Sequence, residues 1–515
     1  MDPGFRRDDI KEDNPAEHEG VKTVTNYVDG RWVDPKVERF HSVNPATGET
    51  LASAPASDAG AVDAAVTAAR RAFDKGNWRW RKGSERARAL LAFADALEAR
   101  ANEISELIAR EMGKPVRVNL AREVEGAVDK LRYFAGAARF LEGQVTGGTA
   151  PEVWDMVLPE PVGVAALIIP WNVPVDLAVR KLGAALAAGC TTVVKSSEVT
   201  PASTAALIEA ADASGAFPAG VINLVHGPGD PTGEALVDHT GVDKISFTGS
   251  TATGIRIMER AAKRLAKVSL ECGGKFPALI MPDADLERCL DAVTYGAFMY
   301  AGQSCTACTR LVVHDSLHDR VVEGVVARTK ALKVGDPLDP NVLVGPMASR
   351  KQYDKAAGYI RLGLSEGGRA IAGGDPGDRR DLFLPPTVLV DLPVTARVTR
   401  EEVFGPVLVI HRYRDEDEAL AIANDTPYGL GGSIWSQDIS RALRLARRLD
   451  VADVWINTHY IRHVETSFGG RHLSGLGREL GLAGVEEYLS WKRLCIDTRS
   501  SFHLKDWFEG AGARR

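Results

Sequence analysis

The stretch between about residues 162 and 274 narrows the accessible folds more than any other part of the chain. It carries the short apolar runs VGVAALIIP (162–170), TTVVKS (191–196), VINLVHG (221–227), DKISFTG (243–249) and KVSLECGG (267–274). Helix-length segments near 174–188, 201–214, 231–239 and 252–265 separate them. β and α alternating at this spacing is the pattern of a parallel, doubly wound sheet with helices on both faces. Such sheets bind ligands at the carboxyl ends of their strands. The turns that follow each run are therefore where chemistry is expected.

A second alternating series runs from about 276 to 470, with strand-like PALIM, RLVVH, PPTVLVDL, VLVIHRY and VWIN. Helical segments such as 317–332 and 438–448 separate these runs. Ahead of both series, helical periodicity begins after Ser57, read as an N-cap, with Val62, Val66, Ala69 and Phe73 on one face. A long amphipathic stretch follows Ser84, with Leu90, Phe93, Leu97, Ile104 and Leu107. Two segments fit neither series: TAPEVWDMVLPEPV (149–162) and YLSWKRLCIDT (488–498) read as isolated strands or a hairpin. Isolated strands need an edge to pair with, and pairing across subunits is expected. Residues 1 to about 22 are charged and lack the apolar core of a signal peptide, so they read as a solvated, disordered tail. At about 150 residues per domain the whole chain predicts roughly three structural units.

Charge and cysteine usage exclude several classes of function. Lysine and arginine total 63 against 69 acidic residues, a net charge of −6, which is not the basic surplus of a nucleic-acid binder. The longest apolar stretch, Val162 to Trp171, is about half the roughly 20 residues needed to span a bilayer, so no membrane segment is expected. Six cysteines in 515 residues make no disulfide framework, and a reducing cytoplasm is the expected setting.

Several turns carry candidate chemistry. No G-x-G-x-x-G follows any strand; instead Thr248-Gly249-Ser250-Thr251-Ala252-Thr253-Gly254 opens a helix after KISF. Small residues at a helix N-terminus let backbone N–H groups approach a phosphate, though the same residues also make a plain capped turn. Lys195-Ser196-Ser197-Glu198 ends another strand, where the pair either binds ribose hydroxyls or forms a surface ion pair. Cys305, in Gly302-Gln303-Ser304-Cys305-Thr306-Ala307-Cys308, is a nucleophile if its pKa is lowered and a core residue if it is buried. The C-x-x-C of Cys305 and Cys308 has no second ligand pair, so no metal site is expected. Glu271, followed by Cys272-Gly273-Gly274-Lys275, is either a tuned general base or the partner of Lys275. Asn172, in Pro170-Trp171-Asn172-Val173-Pro174, either stabilises an oxyanion without supplying a proton or simply bonds the turn. Their joint position at strand ends of one α/β chain is worth more than any one of them.

In this order and spacing, PWNVP (170–174), KSSEVTP (195–201), FTGSTATG (247–254), ECGGK (271–275), GQSC (302–305), EEVFGPV (401–407) and SFGGRHLSGLGRELG (467–481) resemble the NAD(P)-dependent aldehyde dehydrogenase superfamily. NPATGE (44–49) and NDTPYGL (424–430) are similar to further segments of that family, and the likeness spans roughly residues 25 to 498. The resemblance implies an α/β subunit with a Rossmann-like, parallel-sheet NAD-binding domain from 23–140 and 162–273. It further implies an α/β catalytic domain over 274–473 and a small β oligomerisation arm from 141–161 and 486–505, in a homodimer or homotetramer. By the same resemblance Cys305 attacks a small-molecule aldehyde, with the oxyanion held by the Asn172 amide and the Cys305 N–H. Glu271 then activates the water that hydrolyses the thioester. The implied cofactor residues are Ile169, Pro170, Trp171, Lys195, Ser197, Glu198, Gly229, Phe247, Gly249, Ser250, Gly254, Leu270, Glu402 and Phe404. Of these, Lys195 and Glu198 match residues holding the adenosine ribose, and Glu402 and Phe404 those holding the nicotinamide ribose. An acid at Glu198 accepts a 2′-OH and repels a 2′-phosphate, so NAD is expected over NADP.

The chain also departs from the family pattern. Cys272 stands for the usual leucine and Ser467 for the usual proline. Arg180 and Arg462 stand where many members carry aromatic or apolar tunnel residues, near Phe468. Guanidinium groups suit a carboxylate, and NTHYIRHVETSFGG (457–470) resembles the branch acting on muconate-type semialdehydes. An aldehyde bearing an anionic group is the resulting expectation, against arginines that face solvent or an internal acid such as Asp176. A coenzyme A-acylating enzyme typically lacks the glutamate present here as Glu271, and a non-catalytic protein on the scaffold predicts damage at Cys305, Glu271 or Asn172.

Overall fold

The computed structural model describes residues 21–146, 152–377 and 381–498. The expected tail over residues 1–20 and the arm and tail residues beyond 498 lie outside the described residues. Lys22, placed at the end of that tail by the sequence reading, belongs to a short strand, Lys22–Thr23, paired parallel to Thr50–Pro55.

The first alternating series builds the parallel core of an eight-stranded sheet. From Val164–Ile168 the chain steps outward through Thr191–Lys195 to Ile222–Val225, all parallel. It then returns to the other side of Val164–Ile168 with Lys244–Thr248 and continues outward to Lys267–Glu271. The strand order therefore reverses beside Val164–Ile168, which is the switch point where doubly wound sheets open a crevice. Antiparallel strands close both edges: Asn26–Val28 and Arg31–Val33 on one side, Gly475–Leu476 on the other. The helix Pro174–Ala188 is buried on every side, with its charged Asp176, Arg180 and Lys181 held in ion pairs. Proline at its first turn and Gly189 at φ +97° just past its end fix its two limits.

Two helix boundaries differ from the sequence reading. Asp58, not Ser57, caps Ala59–Asp74 by accepting from the Ala61 N–H at 2.9 Å, while the Ser57 hydroxyl accepts from the Asn26 amide at 2.8 Å. The long stretch after Ser84 is two helices, Gly83–Glu98 and Ala101–Met112, so Ile104 and Leu107 lie on the second.

The second series forms a seven-stranded sheet in the order Arg369–Ala372, Thr387–Val390, Val407–Tyr413, Cys308–His314, Phe276–Ile280, Gly431–Trp435, Asp453–Ile456. Only the Arg369–Ala372 edge is antiparallel. Gly431–Trp435 is absent from the sequence reading because its glycines carry no apolar signature. A Cβ on Gly431 would lie 2.6 Å from the Phe276 ring, so close packing requires the glycine.

The orphan segments pair with each other inside the chain. Val153–Pro161 and Leu489–Asp497 run antiparallel from Val153 opposite Asp497 to Pro161 opposite Leu489, and Gln144–Thr146 adds a third strand. Pairing alternation puts Trp154, Met156, Leu158, Leu494 and Ile496 on one face, with Trp154 55% and Ile496 44% exposed. No helix among the described residues is long and apolar enough to cross a membrane.

Candidate active site

The turns singled out in the sequence converge at the carboxyl edge of the first sheet. Ile169 to Pro174 follow Val164–Ile168, Lys195 to Pro201 follow Thr191–Lys195, and Gly229 lies beyond Ile222–Val225. Gly249 and Ser250 follow Lys244–Thr248, and Glu271 closes Lys267–Glu271. The edge of the second sheet faces this row with Cys305, immediately before Cys308–His314, and with Glu402 and Phe404, before Val407–Tyr413.

Cys305 is presented by a tight turn after the helix Leu286–Phe298. Tyr300, Ala301 and Gly302 have φ of +58°, +53° and +69° in succession. Left-handed backbone is costly for Tyr and Ala, and such strain collects where a chain must hold a reactive group. Gly302 cannot carry a side chain, since its Cβ would collide with the Gly405 carbonyl. The Asn172 amide donates to the Gln303 carbonyl at 3.1 Å, tying the first sheet's turn to the nucleophile's loop. Gln303 is itself fixed, donating to the Tyr300 carbonyl at 3.0 Å and accepting from the Ala348 N–H at 2.9 Å.

Burial pushes the Cys305 thiol up to about 11, and the nearby Arg462 and Arg180 guanidinium groups oppose the push while Glu402 and Glu271 add to it. A lowered pKa, the sequence expectation for a nucleophile here, is not what the surroundings give, because desolvation outweighs the two arginines. Cys308 is a core residue beside the helix carrying Gly296, whose Cβ would lie 3.1 Å from that of Cys308.

Glu271 is buried with neither carboxylate oxygen hydrogen-bonded. Burial holds its pKa well above the ordinary carboxylate range, and the charge of Glu479 raises it further against the pull of Lys181 and Arg180. Lys275 is not its partner; that ammonium is also buried without a hydrogen bond, and burial lowers its pKa to about 7. A carboxyl group whose proton affinity burial raises and that has no fixed hydrogen-bond partner suits a general base.

The two arginines have different surroundings. Arg180 donates to Asp176 through Nε at 2.8 Å and Nη2 at 2.7 Å, with Glu479 3.9 Å from Nη1. It is thus committed to the internal acid. Arg462 forms no ion pair with a carboxylate among the described residues, although the charge of Asp453 reaches it: it donates to the Thr306 hydroxyl at 3.2 Å and lies 4.1 Å from the centre of the Phe468 ring. Phe468 is also 5.8 Å from Arg180, so the ring sits between two cations.

The residues expected to hold a cofactor lie at the carboxyl ends of the first sheet's strands and on the loop before Val407–Tyr413. Glu402 accepts from the Gly274 N–H at 2.9 Å, and a Cβ on Gly273 would strike its carboxylate. The Phe404 ring meets Trp171 edge-on at 5.4 Å. The Lys195 ammonium donates to the Ser196 carbonyl at 2.6 Å rather than to Glu198, which is exposed. Gly249 donates to the Glu271 carbonyl at 3.0 Å, and Ser250 caps the helix Thr251–Ala262 by accepting from the Thr253 N–H at 3.3 Å. A Cβ on Gly254 would lie 2.8 Å from the Cys272 sulfur, space that keeps backbone open at that helix start. Phe247 and Leu270 are buried in the strands beneath, the Ile169 N–H donates to the Lys195 carbonyl at 3.0 Å, and no atom would lie within 4 Å of a Cβ on Gly229. Backbone N–H groups at a helix start beside open space fit a dinucleotide phosphate.

Sequence reasoning passed over Lys181, Glu479, Thr306 and His226. Lys181 pairs with Glu479 and donates to the Thr248 hydroxyl at 2.8 Å, and His226 Nδ1 lies 2.7 Å from the Ser196 hydroxyl. The available signal was a run of charged residues, Asp176, Arg180 and Lys181, inside a helix otherwise apolar enough to be core.

A parallel-sheet α/β chain with a cysteine, an asparagine and a glutamate converging at this crevice defines the aldehyde dehydrogenase class, and residues 32–494 match the model of the Aldehyde dehydrogenase family. The chain belongs to that family and is an enzyme of it. It is 41% identical over 474 residues to a geranial dehydrogenase of Castellaniella defragrans, covering 91% of this chain and 98% of that one. It is 37% identical over 491 residues to a betaine aldehyde dehydrogenase of Bacillus subtilis, with 94% and 99% covered. An NAD-dependent aldehyde dehydrogenase from Sinorhizobium meliloti has the same fold, with a TM-score of 0.92, 36% identity and 95% and 98% of the chains covered. Betaine aldehyde dehydrogenase from Staphylococcus aureus, solved in complex with NAD+, gives a TM-score of 0.91 at 35% identity, covering 94% of this chain and 96% of that one.

Proposed function

We propose that the protein oxidises an aldehyde to its carboxylic acid with NAD, through a thiohemiacetal and a thioester on Cys305 that water hydrolyses. The observation that carries this reading is the buried, unpartnered Glu271 carboxylate within electrostatic reach of the Cys305 thiol. Glu271 accepts the thiol proton, and the sulfur attacks the carbonyl carbon. The Asn172 amide and the Cys305 N–H then hold the oxygen, whose charge develops only on attack. NAD, held by residues that include Glu402, Phe404 and the Lys195–Glu198 turn, would supply the hydride acceptor that lets the thiohemiacetal become a thioester. Glu271, having passed its first proton to solvent, takes one from water. The resulting hydroxide adds to the thioester, the carbon–sulfur bond breaks, and the acid departs. Retention of Glu271 favours this hydrolysis over transfer to coenzyme A.

Glu198, exposed at the end of its strand, favours NAD over NADP by accepting from a ribose 2′-OH and repelling a 2′-phosphate. Arg462, not ion-paired to a carboxylate among the described residues, and Phe468 favour an aldehyde bearing a carboxylate, with Arg180 adding positive field from its place on Asp176. The divisions 23–140 with 162–273, 274–473, and 141–161 with 486–505 serve as cofactor domain, catalytic domain and oligomerisation arm. The apolar face of the arm supports a homodimer or homotetramer, and free cysteines throughout the described residues accord with a cytoplasmic setting.

The test follows NADH absorbance with neutral, cationic and anionic aldehydes, for the parent and for Cys305→Ala. NAD-dependent turnover in the parent and none in Cys305→Ala is the expected result. Turnover that survives the substitution overturns the covalent mechanism.

A further inference from the structure

The turns bearing Asn172 and Lys195 each lead directly into a helix, Pro174–Ala188 and Pro201–Ala213. Both helices open on proline and neither receives a hydrogen bond from its own N-cap side chain. Their first free N–H groups are buried and need acceptors from elsewhere. Two fully buried glutamates supply them. Glu111, near the end of the helix Ala101–Met112, accepts from the Ala202 N–H at 2.7 Å and the Ser203 N–H at 2.8 Å. Glu123, in the π-helical turn Leu120–Val124, accepts from the Val175 N–H at 2.9 Å. A carboxylate at a helix start is also favoured by the helix dipole, and π-helical turns recur where one side chain must be re-aimed.

The second oxygen of Glu123 pairs with Lys114, and both side chains are fully buried. The Lys114 ammonium lies 4.4 Å from the centre of the Tyr300 ring, at the start of the left-handed turn that presents Cys305. Asn119 secures Lys114 from behind, donating to its carbonyl at 2.9 Å. The Lys114–Glu123 pair therefore touches both supports of the oxyanion position: the helix that follows Asn172 and the loop that precedes Cys305.

We propose that the segment 101–124 is a two-armed brace of the site, in which Glu111 positions the cofactor turn and Glu123, with Lys114, positions the oxyanion-binding pair. These are positioning residues. The second arm rests on the proposed roles of Asn172 and Cys305, and the first on the proposed role of the Lys195–Glu198 turn.

The two arms separate kinetically. Glu111→Leu removes two acceptors from the cofactor turn alone. The double variant Lys114→Met/Glu123→Leu removes an acceptor together with its cation, so no buried charge is left unpaired. Glu111→Gln and the double variant Lys114→Gln/Glu123→Gln replace them if either fails to yield folded protein. Steady-state rates with NAD and propionaldehyde, and the rate of Cys305 alkylation by iodoacetamide, are measured on the full chain. Glu111 variants should raise KM for NAD about tenfold with kcat within about threefold. Glu123 variants should lower kcat about tenfold or more, with KM for NAD and the alkylation rate each within about threefold, since misplacement by a fraction of an ångström affects attack more than thiol chemistry. Equal effects of both variants on kcat and KM, or kcat within about twofold of the parent for the Glu123 variants, would overturn the brace. Asn172→Ala and Glu198→Ala run alongside distinguish the levels of failure. Parental kinetics in either sinks the underlying role, whereas a defect there with parental brace variants sinks the brace alone.

Discussion

At Cys305 the protein faces a conflict between access, which the half-buried sulfur keeps, and ionisation, which the surrounding protein opposes. With the thiol at about 11 against a reference near 8.5, alkylation by iodoacetamide should keep rising past pH 9. Arg462→Met removes the largest opposing charge, so its alkylation profile should move further toward alkaline pH; a shift toward acid would contradict the sign of that field. The same substitution tests the substrate. KM for succinic semialdehyde should rise about tenfold or more while KM for propionaldehyde stays within about twofold, the scale of one lost charge-assisted contact. Glu271 carries a second conflict. Its folded pKa is raised, so the stability it contributes is complete below the unfolded value near 4.5 and is lost as pH rises through the folded value. Glu271→Gln should therefore raise the melting temperature at pH 8 more than at pH 5, while abolishing steady-state turnover. Thermal melts at the two pH values check the first part and NADH formation the second.

Among the elements, what burial dictates locally was legible and what distance joins was not. Strands such as Val164–Ile168 and Thr191–Lys195 are buried along their whole length, so their apolar runs announce them. Gly431–Trp435 hides because its glycines do their packing through missing atoms. Cys305, Glu271 and Asn172 stood out as candidates at their turns, with roles that only the family resemblance implied, but Lys181 and Glu479 meet across 298 residues and no local pattern records that meeting. The sign of the Cys305 shift was likewise illegible, since it depends on how many atoms surround the sulfur. The nucleophile's turn makes a sharper prediction. Gly302→Ala would drive a methyl group into the Gly405 carbonyl at a left-handed position, and should cost about 2 kcal/mol or more together with most of the activity. A fully active, equally stable Gly302→Ala protein would show that the turn can relax.

Across the whole molecule, the three-stranded arm is too thin to bury its own apolar face. Trp154, Leu158, Leu494 and Ile496 lie exposed on one side of it, an arrangement that single soluble subunits avoid at this density. Trp154→Glu/Leu494→Glu should lower the sedimentation mass of the purified protein to that of a single subunit; an unchanged mass would place the contact elsewhere. The first sheet has a different dependence. Its last strand, Gly475–Leu476, pairs with Leu270 and Glu271, and Glu479 just beyond it meets Lys181 and Arg180. A chain emerging from the ribosome at about 5–20 residues per second thus waits about ten seconds or more between making Glu271 and making its neighbouring strand. Through that interval an unpaired strand edge lies open, so truncated or stalled products should be unusually prone to aggregate and to need chaperones. The edge beside Glu271 is closed only by a strand made much later in synthesis.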